Sequence, residues 1–129
     1  MSLNTHLKLD NTINGKVVEL SENYAKIEQI TKDFMVADEV GLVHGGFTFC
    51  AADFCAMAVV NDPNVVLAKS ETKFLAPIKL GDTVIFEGKL VENQGKKSTI
   101  EVVATVDENA VFKGTFYTVT LEKHILGQV

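Results

Sequence analysis

The residue best suited to acid or base chemistry is Asp53, which lies inside an apolar stretch that runs from Phe47 to Val60. Removing an unpaired carboxylate from water is costly, so burial raises the pKa of such a group unless a hydrogen-bond donor is near. Carboxyl groups with shifted pKa values are common in active sites, where they act as acids or bases. Asp53 is therefore a candidate catalytic group. The alternative is a structural role, such as a hydrogen bond between subunits.

The residues His44-Gly45-Gly46 directly precede this apolar stretch. Two glycines allow the backbone to approach a ligand closely, and the first N–H groups of a helix are unpaired donors at its positive end. Such donors can bind a polarised carbonyl oxygen or an oxyanion. A tight turn with a core histidine is the alternative interpretation. The position of the motif just before a helix that contains Asp53 favours the functional one.

A third candidate is the turn Gly95-Lys96-Lys97-Ser98, which presents two adjacent cations. These cations could hold the phosphates of a nucleotide tail, although a solvated hairpin tip has the same composition. All twelve basic residues of the chain are lysines. Because the two-pronged grip of arginine is missing, an anion must be held by lysine point charges and backbone N–H groups.

The cysteines and histidines predict no metal site and no thiol chemistry. Cys50 and Cys55 are interpreted as small buried hydrophobic residues, since neither has an evident basic partner that would activate a thiolate. His6, His44 and His124 lack the neighbouring Cys or acidic residues that are typical of metal ligands. No metal and no separate cofactor is expected from these residues.

Length and charge indicate one ordinary globular domain over residues 1–129, with residues 1–13 poorly ordered. The net charge of −5 is spread along the chain, which argues against a nucleic-acid partner because binding needs clustered Lys and Arg. The first thirty residues carry charges throughout and lack the apolar core of a signal peptide. We therefore expect a cytoplasmic protein.

The segment from Gly46 to Val60 is apolar on almost every side, and its Ala and Met residues favour a helix that is buried all round. A membrane-spanning helix is the alternative for residues 40–60. Asp53 would then lie near the middle of the membrane, at a cost of about 2.5–3.5 kcal/mol. The pair Gly45-Gly46 also interrupts the run, so we expect a helix in a protein core and no membrane span.

The rest of the chain is predicted as strands separated by turns with Asn-Gly, Pro and Gly signals. The predicted strands cover residues 16–20, 24–30, 65–74, 83–91, 98–106 and 111–121. This order predicts an α+β fold in which a curved antiparallel sheet of five to six strands wraps one long helix. A single sheet leaves part of an apolar helix uncovered, so a second copy should pack there as a homodimer, and a tetramer is possible.

The segment Gly41-Leu42-Val43-His44-Gly45-Gly46, followed by Asp53, resembles the signature of hot-dog thioesterases of the phenylacetic-acid-degradation type. In that signature His-Gly-Gly opens the central helix and an Asp lies seven residues after the second Gly. The segment from Phe74 to Asp82 is similar to the strand and turn that follow the helix in this family. The resemblance covers about residues 17–121.

This resemblance implies a hot-dog dimer with antiparallel helices that hydrolyses acyl-CoA thioesters at the subunit interface. Backbone N–H groups near Gly46 would polarise the thioester carbonyl, and Asp53 of the partner subunit would be general base or nucleophile. His44 belongs to the same catalytic set. The implied substrate-binding residues are those beside the helix start and those that would grip CoA phosphates: Gly45, Asp38, Gly95, Lys96 and Lys97.

The chain departs from the family pattern at two positions. Asp38, followed by Glu39, stands where the family commonly has Asn, and a second acid there would repel Asp53 unless one of them is protonated. Leu67 falls where some members place a serine that orients water.

A second resemblance covers the whole layout of the chain, including residues 111–116. It is similar to the effector domain of the bacterial malonyl-CoA-sensing lipid-synthesis repressor, which binds acyl-CoA without hydrolysing it. A non-catalytic acyl-CoA-binding or sensing protein is thus the main alternative to a thioesterase. Other hot-dog chemistry, such as dehydration, lacks a His/Asp pair of suitable spacing.

Overall fold

The structure, a computed structural model, describes residues 1–127. It contains a short helix α1 (Asn11–Asn14) and a long helix α2 (Gly45–Val60). The six strands are β1 (Lys16–Ser21), β2 (Tyr24–Ile30), β3 (Val65–Phe74), β4 (Thr83–Gln94), β5 (Lys97–Val106) and β6 (Asn109–Thr120). They form one antiparallel sheet in the order β1-β2-β4-β5-β6-β3. The α+β class and the long helix wrapped by six curved strands, both predicted from the sequence, are confirmed.

Helix α2 is seated on a row of mostly small residues that crosses the inner face of the sheet. The strand register aligns Ala25, Gly88, Val102, Gly114 and Thr72 in this row. Larger side chains flank it, in the row Ile27, Phe86, Ala104, Phe112 and Phe74. The small row lets the helix approach the sheet, while the neighbouring phenylalanines fill the space beside it.

The closest approach is at Gly88 of β4. A Cβ atom at this position would lie 2.9 Å from Cγ2 of Val59 and 3.0 Å from Sγ of Cys55. Both helix residues are buried, and Cys55 is fully so. The absence of a side chain at Gly88 therefore sets the distance between helix and sheet.

Each end of α2 coincides with a residue whose backbone conformation is not helical. His44, the residue before the helix, has extended backbone angles, and its side chain makes no capping bond. At the other end Asn61 adopts a left-handed conformation with φ 55°, and its N–H bonds the carbonyl of Met57. Pro63 follows and cannot continue a helix.

The segment before β1 makes specific hydrogen bonds. Asp10 caps α1 by accepting a hydrogen bond from the N–H of Thr12 at 2.9 Å. The Asn61 side chain at the end of α2 accepts from the N–H of Asn4 and donates to the carbonyl of Ser2. These polar side chains thus provide a local cap and a link to α2.

Within residues 1–127, none of the helices combines the length and the apolar character needed to cross a bilayer.

We predict that Gly88→Ala lowers the free energy of unfolding by about 1–3 kcal/mol, because the added methyl group overpacks the contact with Val59. Urea unfolding of the variant measures this change. Lys89→Ala, on the exposed outer side of the same strand, is the matched control and should unfold like the wild type. Equal stability of the two variants would show that the helix can shift away from the sheet at little cost.

Candidate active site

One stripe of α2 is not fully covered by its own sheet. Its members are Gly46, Phe49, Cys50 and Asp53, which are all partly exposed. Residues spaced by three, four and seven positions lie on one face of a helix. From Ala51 to Val59 every residue of the helix except Asp53 is buried. The uncovered stripe therefore contains the candidate catalytic carboxyl.

The Asp53 carboxyl lies mostly out of water. Its Oδ1 atom is buried and makes no hydrogen bond to any group within residues 1–127. Desolvation by burial raises the pKa of Asp53 from its usual 3.8 to about 6. A carboxyl in this state changes protonation close to neutral pH, which suits a group that takes up and releases a proton.

The start of α2 provides unpaired donors. Within residues 1–127, the N–H groups of Gly45 and Gly46 donate to no backbone or side-chain acceptor, whereas the N–H of Phe47 bonds the carbonyl of His44 at 3.1 Å. The imidazole of His44 is exposed and lies over Gly46, where a Cβ atom would be 3.1 Å from its Cδ2 and Nε2 atoms. The two glycine N–H groups can donate hydrogen bonds to the carbonyl oxygen of a ligand.

Gln29 of β2 fixes the position of this helix start, and sequence reasoning missed it. Its side chain is 1% exposed, and its Nε2 group donates to the carbonyls of Phe47 at 2.9 Å and of Ile13 at 2.8 Å. It thereby joins the first turn of α2 to the short N-terminal helix. The signal was a polar residue at an inward position of an alternating strand.

Asp53 and Gly46 do not meet within one chain. Seven residues of helix separate them, which corresponds to about 10 Å along the axis. They share a face because seven residues make almost two full turns. A ligand held at Gly46 is therefore out of reach of the Asp53 of the same chain.

The turn Gly95-Lys96-Lys97 lies at the opposite end of the molecule from the glycine motif. The carbonyl of Lys96 accepts from the N–H of Thr120, and Thr120 pairs with Val65, shortly after the end of α2. The other end of β3 is Phe74, whose ring contacts Gly45. Ten residues of strand, about 30 Å, separate these two ends.

The two lysines of this turn have different surroundings. The Nζ of Lys96 lies 3.8 Å from Oε1 of Glu122 on the surface. Lys97 lines a cavity of about 420 Å³ on the outer face of the sheet, together with Lys69 and Tyr117. The ammonium group of Lys69 lies 5.2 Å from the centre of the Tyr117 ring. The lining also includes Glu92, and the Nζ of Lys69 lies 3.8 Å from Oε2 of Glu71. An aromatic ring beside lysine ammonium groups is suited to a nucleotide.

Asp38, a predicted substrate-binding residue, organises its own loop. Its Oδ1 atom accepts hydrogen bonds from the N–H groups of Val40, Gly41 and Leu42 at 3.0, 3.0 and 3.2 Å. These three bonds hold the loop that leads to the glycine motif.

A β-bulge changes which residues of β3 face the helix. The register shifts between Leu67 and Lys69, after which Ser70 pairs with the inward-facing Phe116. Phe116 contacts Phe49 with ring centroids 5.8 Å apart, one helical turn before Asp53. Ser70, and not only Leu67, is therefore an inward side chain beside the uncovered stripe. Sequence alternation alone does not reveal a bulge.

Residues 40–113, more than half of the chain, match the family described as the Thioesterase superfamily. Two curated relatives are longer proteins. Methylthioribose-1-phosphate isomerase of Aquifex aeolicus is 46% identical over 121 residues, which are 94% of this chain and 26% of that protein. Transcription factor FapR of Staphylococcus aureus is 31% identical over 104 residues, which are 79% of this chain and 56% of that protein. The chain thus spans about a quarter and about half of their lengths.

Two solved structures have the same fold. The uncharacterized protein PH1136 from Pyrococcus horikoshii has a TM-score of 0.97 and 44% identity, with 98% of each chain covered. The protein smu.793 from Streptococcus mutans UA159, solved bound to acetyl CoA, has a TM-score of 0.81 and 23% identity, with 93% of this chain and 99% of that chain covered. At 23% identity the second likeness concerns the fold alone. The family match and the FapR relative agree with both resemblances stated from the sequence, and the chain belongs to the thioesterase superfamily with the hot-dog fold.

Proposed function

We propose that the protein is an acyl-CoA thioesterase that works as a homodimer. The observation that carries this proposal is the buried, unpaired carboxyl of Asp53 on the same uncovered helix stripe as Gly46, whose N–H group, like that of Gly45, is free. Membership of the thioesterase superfamily supports it, as does the acetyl CoA bound to the S. mutans protein of the same fold. We do not infer isomerase activity for this chain, since the match spans about a quarter of the isomerase relative.

A second copy resolves the separation between Gly46 and Asp53. If two α2 helices pack antiparallel and cross between Phe49 and Cys50, position 46 of one helix is level with position 53 of the other. Both positions are equally far from that crossing point. The crossing point is also the centre of the uncovered stripe, so burying the stripe and completing the site require the same arrangement.

The free edge of β3 supports the same dimer. This ten-residue strand ends the sheet, so one of its edges has no strand partner within residues 1–127. An unpaired edge can add a strand from another chain. The uncovered stripe lies on the β3 side of α2, where Phe49 contacts Phe116. A two-fold axis beside β3 would therefore join both surfaces in one isologous interface.

In this dimer the thioester carbonyl would bind the N–H groups of Gly45 and Gly46. The partner subunit's Asp53 would take a proton from water as the water attacks the carbonyl carbon. The resulting oxyanion is held by the two N–H donors, and the C–S bond then breaks as the proton passes to the leaving thiolate. Alternatively, the carboxylate attacks the carbonyl itself, the C–S bond breaks and the thiolate leaves with a proton from solvent, and water then hydrolyses the mixed anhydride to release the acid and restore the carboxyl. Ser70 would orient the water.

The phosphates of CoA would bind at the lysine-lined cavity that holds Lys97, Lys69 and Tyr117. In one chain this cavity lies at the far end from Gly46. An antiparallel partner would bring its own copy to the end where the glycines lie. The nucleotide-binding cavity and the catalytic carboxyl would then come from the same subunit, and the N–H donors that bind the oxyanion would come from the other.

A non-catalytic acyl-CoA sensor is the second candidate. The 31% identity to transcription factor FapR over 104 residues favours it. In a sensor Asp53 would be structural, and an acyl-CoA would bind without being hydrolysed.

We predict that Asp53→Asn lowers kcat by about 10²- to 10⁴-fold, because the amide cannot accept a proton from water. The wild-type kcat/KM should rise with pH and level off above about pH 6, since the base acts only when it is deprotonated. Steady-state hydrolysis of an acyl-CoA panel from pH 4.5 to 8 measures both. Single turnover in ¹⁸O-labelled water would place label in Asp53 only if it is the nucleophile.

Stability provides the control for this variant. The unfolded carboxyl ionises near pH 4, whereas the folded one keeps its proton until about pH 6. Wild-type stability should therefore fall relative to Asp53→Asn across this window and stay lower above it. If the Asp53→Asn variant is inactive but at least as stable as the wild type, the loss of activity is due to the missing carboxylate and not to unfolding. If the wild-type protein binds acyl-CoA tightly but does not hydrolyse it, the protein is a sensor and not a thioesterase.

We predict opposite activities for two heterodimers that carry the same pair of mutations. Asp53→Asn in one chain with Gly46→Pro in the other leaves one site intact, and about half of the wild-type activity should remain. The wild-type chain paired with the double variant leaves no intact site and should be inactive. Differential tagging and purification of each heterodimer allow the comparison. The reverse result would place Gly46 and Asp53 of one chain in the same site.

Gly46→Ala is the matched control for the proline variant. It adds a similar carbon beside the exposed His44 ring but retains the N–H donor, so its activity should exceed that of Gly46→Pro. Proline itself is tolerated in the first turn of a helix.

We predict that Lys97→Ala weakens CoA binding several-fold, and that the difference shrinks as salt is raised and screens the charge. Lys96→Ala is the matched control, because Lys96 already lies beside Glu122 and should matter less. Isothermal titration with free CoA at two salt concentrations measures both. Equal affinities for Lys97→Ala and the wild type would place the phosphate site elsewhere.

A further inference from the structure

A cavity of about 430 Å³ opens beside the start of α2. Its lining residues come from the loop before the helix, from the helix start, and from the segment after β3: Leu42, Val43, Gly45, Thr48, Phe74, Leu75, Ala76, Pro77 and Ile78. None of these residues carries a charge. The cavity is thus uncharged and mostly apolar, and one of the two free N–H donors lies on a residue of its wall.

The walls of this cavity are held in place by backbone hydrogen bonds. The N–H of Val43 bonds the carbonyl of Ile78 at 2.8 Å, and the N–H of Leu75 bonds the carbonyl of Val111 at 2.8 Å. Val43 and Ile78 are each 5% exposed, so their side chains are fixed by packing. The cavity is therefore already formed in the single chain.

Phe74 forms the wall next to the helix. Its ring packs edge-on against Phe112 with centroids 5.2 Å apart. A Cβ atom at Gly45 would lie only 3.0 Å from its Cε2 atom. The ring therefore touches a residue whose N–H is free and which also lines the cavity.

We propose that this cavity receives the acyl group of the substrate, and that it selects uncharged acyl groups of several carbons over acetyl and over dicarboxylic acyl groups such as malonyl. The inference rests on the proposed thioesterase function. At roughly 30 Å³ for each non-hydrogen atom, as for water, the space holds on the order of ten such atoms. A two-carbon acyl group leaves most of this apolar surface unfilled.

The discrimination against malonyl follows from charge. Its free carboxylate would enter a space whose described lining offers no cation to pair with it, and burying an unpaired carboxylate is costly. Rejecting a competing ligand by leaving its charge unpaired is a general route to specificity.

The test compares kcat/KM for acetyl-, hexanoyl-, octanoyl-, phenylacetyl- and malonyl-CoA in the wild type and in three variants. In the wild type, octanoyl- and phenylacetyl-CoA should exceed both acetyl- and malonyl-CoA by at least tenfold. Ile78→Phe fills the cavity and should lower the ratio of octanoyl to acetyl by at least tenfold. Leu75→Lys places a cation at a half-exposed wall position and should lower the ratio of octanoyl to malonyl by a similar factor.

Leu80→Lys adds the same charge at an exposed leucine that does not line the cavity, and its preferences should match the wild type. A wild type that hydrolyses acetyl- or malonyl-CoA best would overturn the inference while keeping the thioesterase function. A Leu75→Lys variant that changes the dimerisation constant but not the substrate preference would also overturn the inference, since the cavity would then belong to the subunit interface. If nothing is hydrolysed, titration of the same thioesters tests the cavity, and equal affinities would overturn it.

Discussion

The need to cover an almost uniformly apolar helix governs this structure. Helix α2 has only one ionisable carboxyl along its length, so nearly every face must be removed from water. The sheet meets this need by curving and by presenting a row of mostly small residues, including Gly88 and Gly114, on which the helix lies. One sheet cannot reach all the way round, and the stripe that remains is the one that carries Asp53. The cost of burying Asp53 and the proposed dimerisation thus arise from the same packing problem.

The sequence was sufficient for the features that depend on local pattern. The apolar run predicted α2 to within one residue at its start, and the alternating segments predicted all six strands. The spacing of Gly46 and Asp53 was also informative, since seven residues make almost two turns and so fix a shared helix face. Whether these two residues act in one site remains a proposal, because that depends on a second chain.

Features that depend on strand register could not be predicted in the same way. Ser70 faces the helix only because of a bulge after Leu67, and Gln29 matters because two distant carbonyls converge on its side chain. The lysine turn is a further example. Its composition suggested phosphate binding, but only the pairing of β5, β6 and β3 shows that it lies at the far end of α2 from the glycines. Composition indicates what a residue can bind, whereas the topology decides which site it can join.

The protonation of Asp53 bears on the choice between enzyme and sensor. A protein that only binds acyl-CoA gains little from an unpaired carboxyl, because in its charged form the group adds a desolvation cost and repels the phosphates of the ligand. A hydrolase uses the same cost, because desolvation makes the carboxylate a stronger base at a pH where it is still ionised. The apolar cavity next to Gly45 adds a second constraint, since it favours an acyl group that brings no charge of its own. A neutral acyl chain, a donor-bearing helix start and a carboxyl with a pKa of about 6 together suit a site in which negative charge develops only at the reacting carbonyl.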